Sequence, residues 1–400
     1  TRAQIAKVIC VYVEGLEEKP TDEPTKEPTK EPTGEEPTKE PTKEETGEME
    51  KKPEDYKTFN TNLYMAEKRA FELGEYTDVT IEDNGIVLTE NSVEGTYISP
   101  VITSYYEATK ALISWNCMTS NDSYIEIYFK FNINGENRWT DWQKFITWSQ
   151  NTNYRGSVDY ANDDVTAGTD GISLKSGKTF NDFQYKVVLK KLNDDASSPV
   201  FKRVTLSCTL KGYSCDVSAE NYLIELDVPE KSQRTDVNDP DLQWRVCSPS
   251  STNMIMSYFG YDEDIETSAW GIKDNSAVNG GGFNSFGNWA LNMAYASEKG
   301  FETYVYEWQD FDEIKNIVAE GIPVAIGIIG DLPGSAVGTT EGHLIVIRGF
   351  KIGDDGKEYA VINDPWATGI GRYDKVRREV LVENLIRCSK ANWKITYIFK

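Results

Sequence analysis

Pro-Thr-Lys-Glu recurs at positions 24, 28, 37 and 41, with Pro-Thr-Gly-Glu at 32, inside a stretch from 17 to 57 that carries almost no apolar side chains. A proline every four or five residues removes backbone donors from any helix or central strand, and without apolar side chains nothing drives collapse. This stretch is therefore read as an extended, polyproline-II-rich spacer, and any core must be built from what flanks it. Its threonines are candidate O-glycan acceptors.

Before the spacer, Ile5, Val8, Ile9, Tyr12, Val13 and Leu16 fall on one face of an amphipathic helix, with Thr1 placed to cap it. The opening Thr-Arg-Ala-Gln-Ile-Ala resembles the signature stretch of S-layer homology modules, which attach bacterial proteins to cell-wall polymers, and residues 1–16 are read as the tail of one. The chain has no initiating Met and starts within this helix, so it is read as a fragment whose targeting sequence is missing.

After the spacer, residues 58–218 read as all-β. Ala111–Asn116, Tyr124–Phe131 and Phe183–Lys190 are rich in aromatic and β-branched residues and are separated by turn residues, which predicts a β-sandwich. Trp139, Trp142 and Trp148 lie close enough in sequence to form a sugar-stacking platform, although tryptophans in such strands also serve as core. From 219 to 400 the pattern changes. Helices are expected over 247–259, 288–299 and 311–320, followed by strands over 323–329, 343–350, 359–364 and 393–399, the order of an α+β domain with an antiparallel sheet.

Composition excludes several classes. The formal net charge is -23, and the spacer region accounts for only part of it, so nucleic acid is a poor partner. No apolar run reaches the roughly 18 residues of a membrane span. The six cysteines include no C-x-x-C pair and there is one histidine, which argues against a metal centre, and no cofactor is implied. Cys208 and Cys215 can pair if the chain is exported, but free buried thiols are the preferred reading.

The single histidine, His343, concentrates the search for chemistry. Cys247 opens a predicted helix, where unpaired N–H groups and the helix dipole favour a thiolate, and an imidazole beside it would complete the activation. Gln243, four residues upstream, is a candidate oxyanion donor alongside the Cys247 backbone N–H. If the 343–364 hairpin turns at Gly353–Gly356, Asp364 opposes Ile345 and lies diagonally across from His343 on the same face, within reach to orient the ring. A one-residue slip would offer Asn363 instead.

Gln243-x-x-x-Cys247-Ser-Pro, Gly287-Asn-Trp-Ala, Gly321-Ile-Pro-Val, Glu341-Gly-His343-Leu-Ile-Val-Ile-Arg-Gly and Val361-Ile-Asn-Asp364-Pro together resemble the C39-like peptidases of bacteria, of the papain-like superfamily. The β-rich region, with Gly95-Thr-Tyr-Ile-Ser-Pro-Val-Ile and Trp139-Thr-Asp-Trp, looks like the sandwich that precedes the peptidase in several members. The resemblance implies Cys247 as nucleophile, His343 as general base and acid, Asp364 as orienter and Gln243 as oxyanion donor. Cys-Ser-Pro stands where the family usually has Cys-Gly-Pro, so an altered subsite is expected. The reading is a multidomain, extracellular, wall-associated cysteine peptidase acting on a peptide or protein. Its rivals are an amidase or acyl transferase with the same triad, and an inactive papain-like scaffold whose sandwich binds glycan.

Overall fold

The computed structural model describes residues 53–168, 170–175, 177–276, 283–371 and 374–400. The helix expected over 1–16 and residues 17–52 of the spacer expected over 17–57 lie outside the described residues, and the described end of that spacer forms a short 3-10 helix, Pro53–Tyr56, in place of an extended run.

The first half is built from long strands: β1 (Leu63–Ala66), β2 (Ile102–Met118), β3 (Ser123–Ile133), β4 (Gln143–Trp148), β5 (Val165–Gly168), β6 (Gly171–Leu174), β7 (Phe180–Lys191) and β8 (Val200–Leu210). Strand β3 shows why they form. Ile125, Ile127, Phe129 and Phe131 point into the core while Tyr124, Glu126, Tyr128 and Lys130 between them are half-buried on the other face, the two-residue period of a pleated strand. The ladder runs β4-β3-β7-β2-β6-β5.

Strand β2 serves two layers. Its start pairs with β7 through Ile102 and Phe183, and its second half pairs with β8 from Ala108 to Met118. The ladder then folds over on itself: Trp115 of β2 meets Phe145 and Trp148 of β4 edge-on at 6.4 and 6.3 Å, although β2 and β4 are not ladder neighbours. The expected sandwich thus takes the form of one continuous, doubled-over sheet. Pleating aims Trp148 inward, where its Nε1 donates to Glu298 at 3.0 Å, so it cannot join a surface platform. Trp139 and Trp142 both lie against Lys130, whose Nζ is 5.0 and 4.7 Å from their rings. Cys208 and Cys215 are free thiols, Cys208 fully buried.

The second half contains helices α1 (Cys247–Tyr258), α2 (Ile265–Ile272), α3 (Trp289–Glu298), α4 (Phe311–Ala319) and α5 (Val382–Ala391). Its strands are β9 (Thr303–Glu307), β10 (Val324–Asp331), β11 (Thr339–Ile352), β12 (Glu358–Asn363), β13 (Arg377–Leu381) and β14 (Ile395–Phe399), in one antiparallel sheet ordered β9-β14-β10-β11-β12-β13. The three expected helices and four expected strands are present, and α2, α5, β9 and β13 are additions to that reading. Helix α1 is buried on every side from Ser248 to Met256, and two of its polar side chains bond to neighbouring helices. Thr252 Oγ1 donates to Asn292 of α3 at 3.0 Å and Asn253 Nδ2 to Ser268 of α2 at 2.8 Å. Pro249 sits in the first turn, where its missing N–H costs no helical bond.

Strand β9 is the edge of this sheet, and an uncovered edge invites pairing with other chains. Side chains of the first half cover it. Val305 N–H donates to Ser114 Oγ at 3.0 Å, Glu307 N–H to Ser207 Oγ at 2.9 Å and Thr303 N–H to Asn116 Oδ1 at 3.2 Å. At the same junction the Glu298 carboxylate accepts from Thr119 N–H, Thr119 Oγ1 and Trp148 Nε1 at 3.0, 2.7 and 3.0 Å. Apolar residues of both halves join one continuous core cluster. The double substitution Ser114→Val with Ser207→Val leaves two buried N–H groups without acceptors and is expected to cost about 1–3 kcal/mol for each. Urea unfolding that shows no loss beyond about 0.5 kcal/mol would contradict this account of the edge.

Candidate active site

Cys247 is the first residue of α1, with Val246 as its N-cap and a short 3-10 turn, Leu242–Trp244, leading in. His343 lies on β11, which packs against α1, and Asp364 follows the end of β12. Whether His343 and Asp364 share a face depends on register. Near the turn, Gly349 pairs with Val361 and Ile352 with Glu358. A bulge at Arg348 then shifts the phase, so that Ile347 pairs with Ile362 and Val346 with Asn363. Continued from there, Asp364 falls opposite Ile345, on the face of His343. Without the extra residue the alternation would carry Asp364 to the opposite face.

Arg348 anchors the bulge. Its Nε donates to Leu226 O at 3.0 Å, and its Nη1 to Val228 O and Asn363 Oδ1, both at 3.1 Å. Gly349 leaves room for the incoming chain: a Cβ there would lie 2.2 Å from Ile224 O. Segment 224–228 can therefore pair along β11 beyond β10, with Phe350 N–H donating to Ile224 O at 2.8 Å and Leu226 N–H to Arg348 O at 2.7 Å.

The imidazole and carboxylate meet directly, His343 Nε2 lying 2.8 Å from Asp364 Oδ1. The carboxylate is fully buried and fully satisfied. Oδ1 also accepts from Trp366 N–H at 3.0 Å, and Oδ2 accepts from Ala336 and Val337 N–H at 2.7 and 3.0 Å. Burial would raise the Asp364 carboxyl, but His343 and these N–H donors outweigh it and hold it below the usual range. Trp366 stands edge-on to the imidazole at 6.2 Å.

With Nε2 committed to Asp364, Nδ1 is left for the Cys247 thiol, which hydrogen-bonds the ring. Burial pushes the His343 imidazole down, yet Asp364 and Cys247 together raise it well above its ordinary value. Burial likewise pushes the Cys247 thiol up, and His343 with the Leu344 and Ser248 N–H groups brings it below its ordinary value. The two groups titrate as a pair, and the favoured state is thiolate with imidazolium. Cys117, Cys208, Cys215 and Cys388 are all pushed the other way by burial, so among the five described cysteines only Cys247 is activated.

Beside this pair lies a cavity of about 630 Å³, lined by Cys247, His343, Gln233, Trp244, Trp366 and Asp170 among others. Gln243 is not among its lining residues; its Nε2 donates to Val237 O at 2.7 Å. Gln243 sits inside the 3-10 turn Leu242–Trp244 with its side chain on Val237, whereas Gln233 reaches the cavity. Gln233 is buried, its N–H donates to Pro365 O at 2.9 Å, and its Nε2 donates to Gln243 O at 2.9 Å. The alternation of Tyr222, Ile224, Leu226 and Val228 toward the protein was the available signal, since a strand-like run beside β11 delivers Gln233 to the site. Ser248, the departure noted in Cys-Ser-Pro, bonds Tyr397 Oη at 2.7 Å and lines the cavity. Among the described residues no group of three or more His, Cys, Asp or Glu gathers to hold a metal, and no helix is long and apolar enough to cross a membrane.

Comparison with known proteins gives two family matches: residues 225–393 match the Peptidase_C39 like family, and residues 51–209 match a Peptidase C39 N-terminal domain. Among solved structures, similarity is found to a protein from Bacillus anthracis described as a C39-like peptidase, at 17% identity over 45% of this chain and 98% of that one, TM-score 0.34. A xylan-binding module, CBM15, shows 14% identity over 34% of this chain and 86% of its own, TM-score 0.20. The exoplasmic/lumenal domain of VIP36, in a Ca2+/Man3GlcNAc-bound form, shows 8% identity over 38% and 91%, TM-score 0.20. No curated protein matches.

The lowered thiol predicts that iodoacetamide labels Cys247 ahead of the other described cysteines at pH 6. Labelling should slow only as pH falls through its depressed titration, where the thiolate is lost. His343→Gln should return the thiol toward its ordinary range and slow labelling at pH 6 by about tenfold or more. Equal rates in the two proteins would contradict the pairing.

Proposed function

We propose that this chain is a cysteine peptidase, a papain-like α+β unit in which a helix presents the thiolate to an imidazole carried on an antiparallel sheet. The observation that carries the reading is the chain of contacts from Cys247 through His343 to Asp364, with the thiol driven down while every other described thiol is driven up. The family match over 225–393 supports a peptide as substrate.

In this mechanism the Cys247 thiolate attacks the substrate carbonyl carbon. The oxyanion that forms is met by the Cys247 backbone N–H and the Gln233 amide, whose Nε2 is held at the cavity wall by Gln243 O. Gln243 thereby acts on Gln233 in place of the direct role expected of it. Imidazolium His343 protonates the leaving amine, the thioester remains, and neutral His343 then takes a proton from the water that hydrolyses it. Asp364 holds the ring and stabilises its charge throughout. An amidase or acyl transferase would use the same groups, and the acceptor distinguishes them.

We place the enzyme outside the cell and at the wall, on the strength of the S-layer-like opening and the Pro-Thr-Lys-Glu run. A quenched fluorescent peptide library tests the activity. Cleavage by the wild type and none by Cys247→Ala is the expected result, and no cleavage of any member would contradict it. Gln233→Ala should lower kcat by roughly 100-fold or more with a smaller change in KM, as loss of an oxyanion donor does, and Gln243→Ala should cost less. The reverse ranking would return the oxyanion role to Gln243.

A further inference from the structure

One cavity-lining residue belongs to the first half of the chain. Asp170 lies at the tip of the β5–β6 hairpin, whose last pair is Gly168 with Gly171. The hairpin is carried by β2, which pairs with β6, and so reaches into the cleft that holds Cys247 and His343. Asp170 Oδ1 accepts the Trp289 N–H at the start of α3, at 2.8 Å. That helix already has its own cap, because Asn288 accepts from Leu291 N–H at 3.1 Å. Among the described residues Asp170 Oδ2 has no hydrogen-bond partner.

Resting on the peptidase reading, we propose that Asp170 recognises an ammonium group of the substrate, either a lysine-type side chain or a free amino terminus. The charged residues facing the cavity are Asp170, Glu341 and Arg245, together with the Cys247–His343 pair. Glu341 is exposed at the rim, and Arg245 lies over the Phe286 ring at 5.4 Å. Asp170 is half-buried within the cleft, where a cation brought by substrate is its natural counter-charge. Burial pushes its carboxyl up to about 7, opposed by the Trp289 N–H and reinforced by Asp274. Tyr397, from β14, also interacts with it electrostatically. Recognition of the cation is therefore switched on as pH rises through neutrality: Asp170 is protonated and neutral below that range, and deprotonated and anionic above it.

The test reads Cys247 as a reporter. The wild type is treated with aminoethyl methanethiosulfonate, which is cationic, and with its neutral propyl analogue, and the rate of each at Cys247 is followed by mass spectrometry. The cationic-to-neutral ratio cancels changes in the thiolate itself. It is expected to rise roughly threefold to tenfold between pH 6 and 7.5, the order of effect of one charge nearby in a partly wet cleft. Asp170→Asn should lower the ratio and flatten it, and Glu341→Gln should change it less. Loss of a helix contact alone would lower the thermal midpoint and move both rates together. If Asp170→Asn does not fold, the wild-type pH dependence still decides. A ratio that is flat with pH, or unmoved by Asp170→Asn, overturns the proposal. Failure of both reagents to reach Cys247 overturns the peptidase reading and this inference with it. Acetylated peptides with lysine or norleucine, compared with their unacetylated forms, distinguish a side chain from an amino terminus. Cleavage indifferent to both features also overturns the proposal.

Discussion

The site depends on a single extra residue in a strand. Alternation in a pleated sheet is strict, so the hairpin of β11 and β12 can bring His343 and Asp364 together only if its phase is correct at the open end. The pairing close to the turn has the wrong phase, and the bulge at Arg348 corrects it. The same residue uses its guanidinium to fasten segment 226–228 to β11, and that segment leads to Gln233. The proposed nucleophile activation and oxyanion stabilisation are thus tied to one irregularity, held by Arg348 and made possible by the absence of a side chain at Gly349.

Around this centre the two halves of the chain are joined by hydrogen bonds more specific than apolar contact. Ser114, Asn116 and Ser207 take the outward N–H groups of β9, so the sheet carrying His343 has its edge closed by side chains of the other half. Glu298, at the end of α3, gathers Thr119 and Trp148. The start of that same helix meets Asp170. Helix α3 is therefore fixed at both ends by the β-rich half, and one of those contacts opens onto the cleft.

Much of this was legible beforehand. Aromatic and β-branched alternation marked β3 and β7, Pro249 and Gly321 bracketed helices correctly, and the scarcity of histidine directed attention to His343. The assumed turn at Gly353–Gly356 placed Asp364 opposite Ile345, and the register reaches that pairing through a bulge that no local sequence signal announced. Gln243 was attractive because it lies one helical turn from Cys247, but it sits in a separate 3-10 turn, Leu242–Trp244, and Arg245 and Val246 break the helix before Cys247, so helical spacing did not apply. Trp148 was grouped with Trp139 and Trp142 by sequence proximity, whereas strand alternation sends it inward. Asp170 could not be read at all, since its role comes from a contact spanning more than a hundred residues.

Because the chain has one histidine, nitrogen NMR of histidine-labelled protein reports on His343 alone. The account predicts that the ring remains imidazolium through neutral pH in the wild type, and that its titration moves downward in Cys247→Ala when the thiolate is removed. A ring that titrates near the ordinary histidine value of about 6.5 in both proteins would contradict the ion pair on which the proposed chemistry rests.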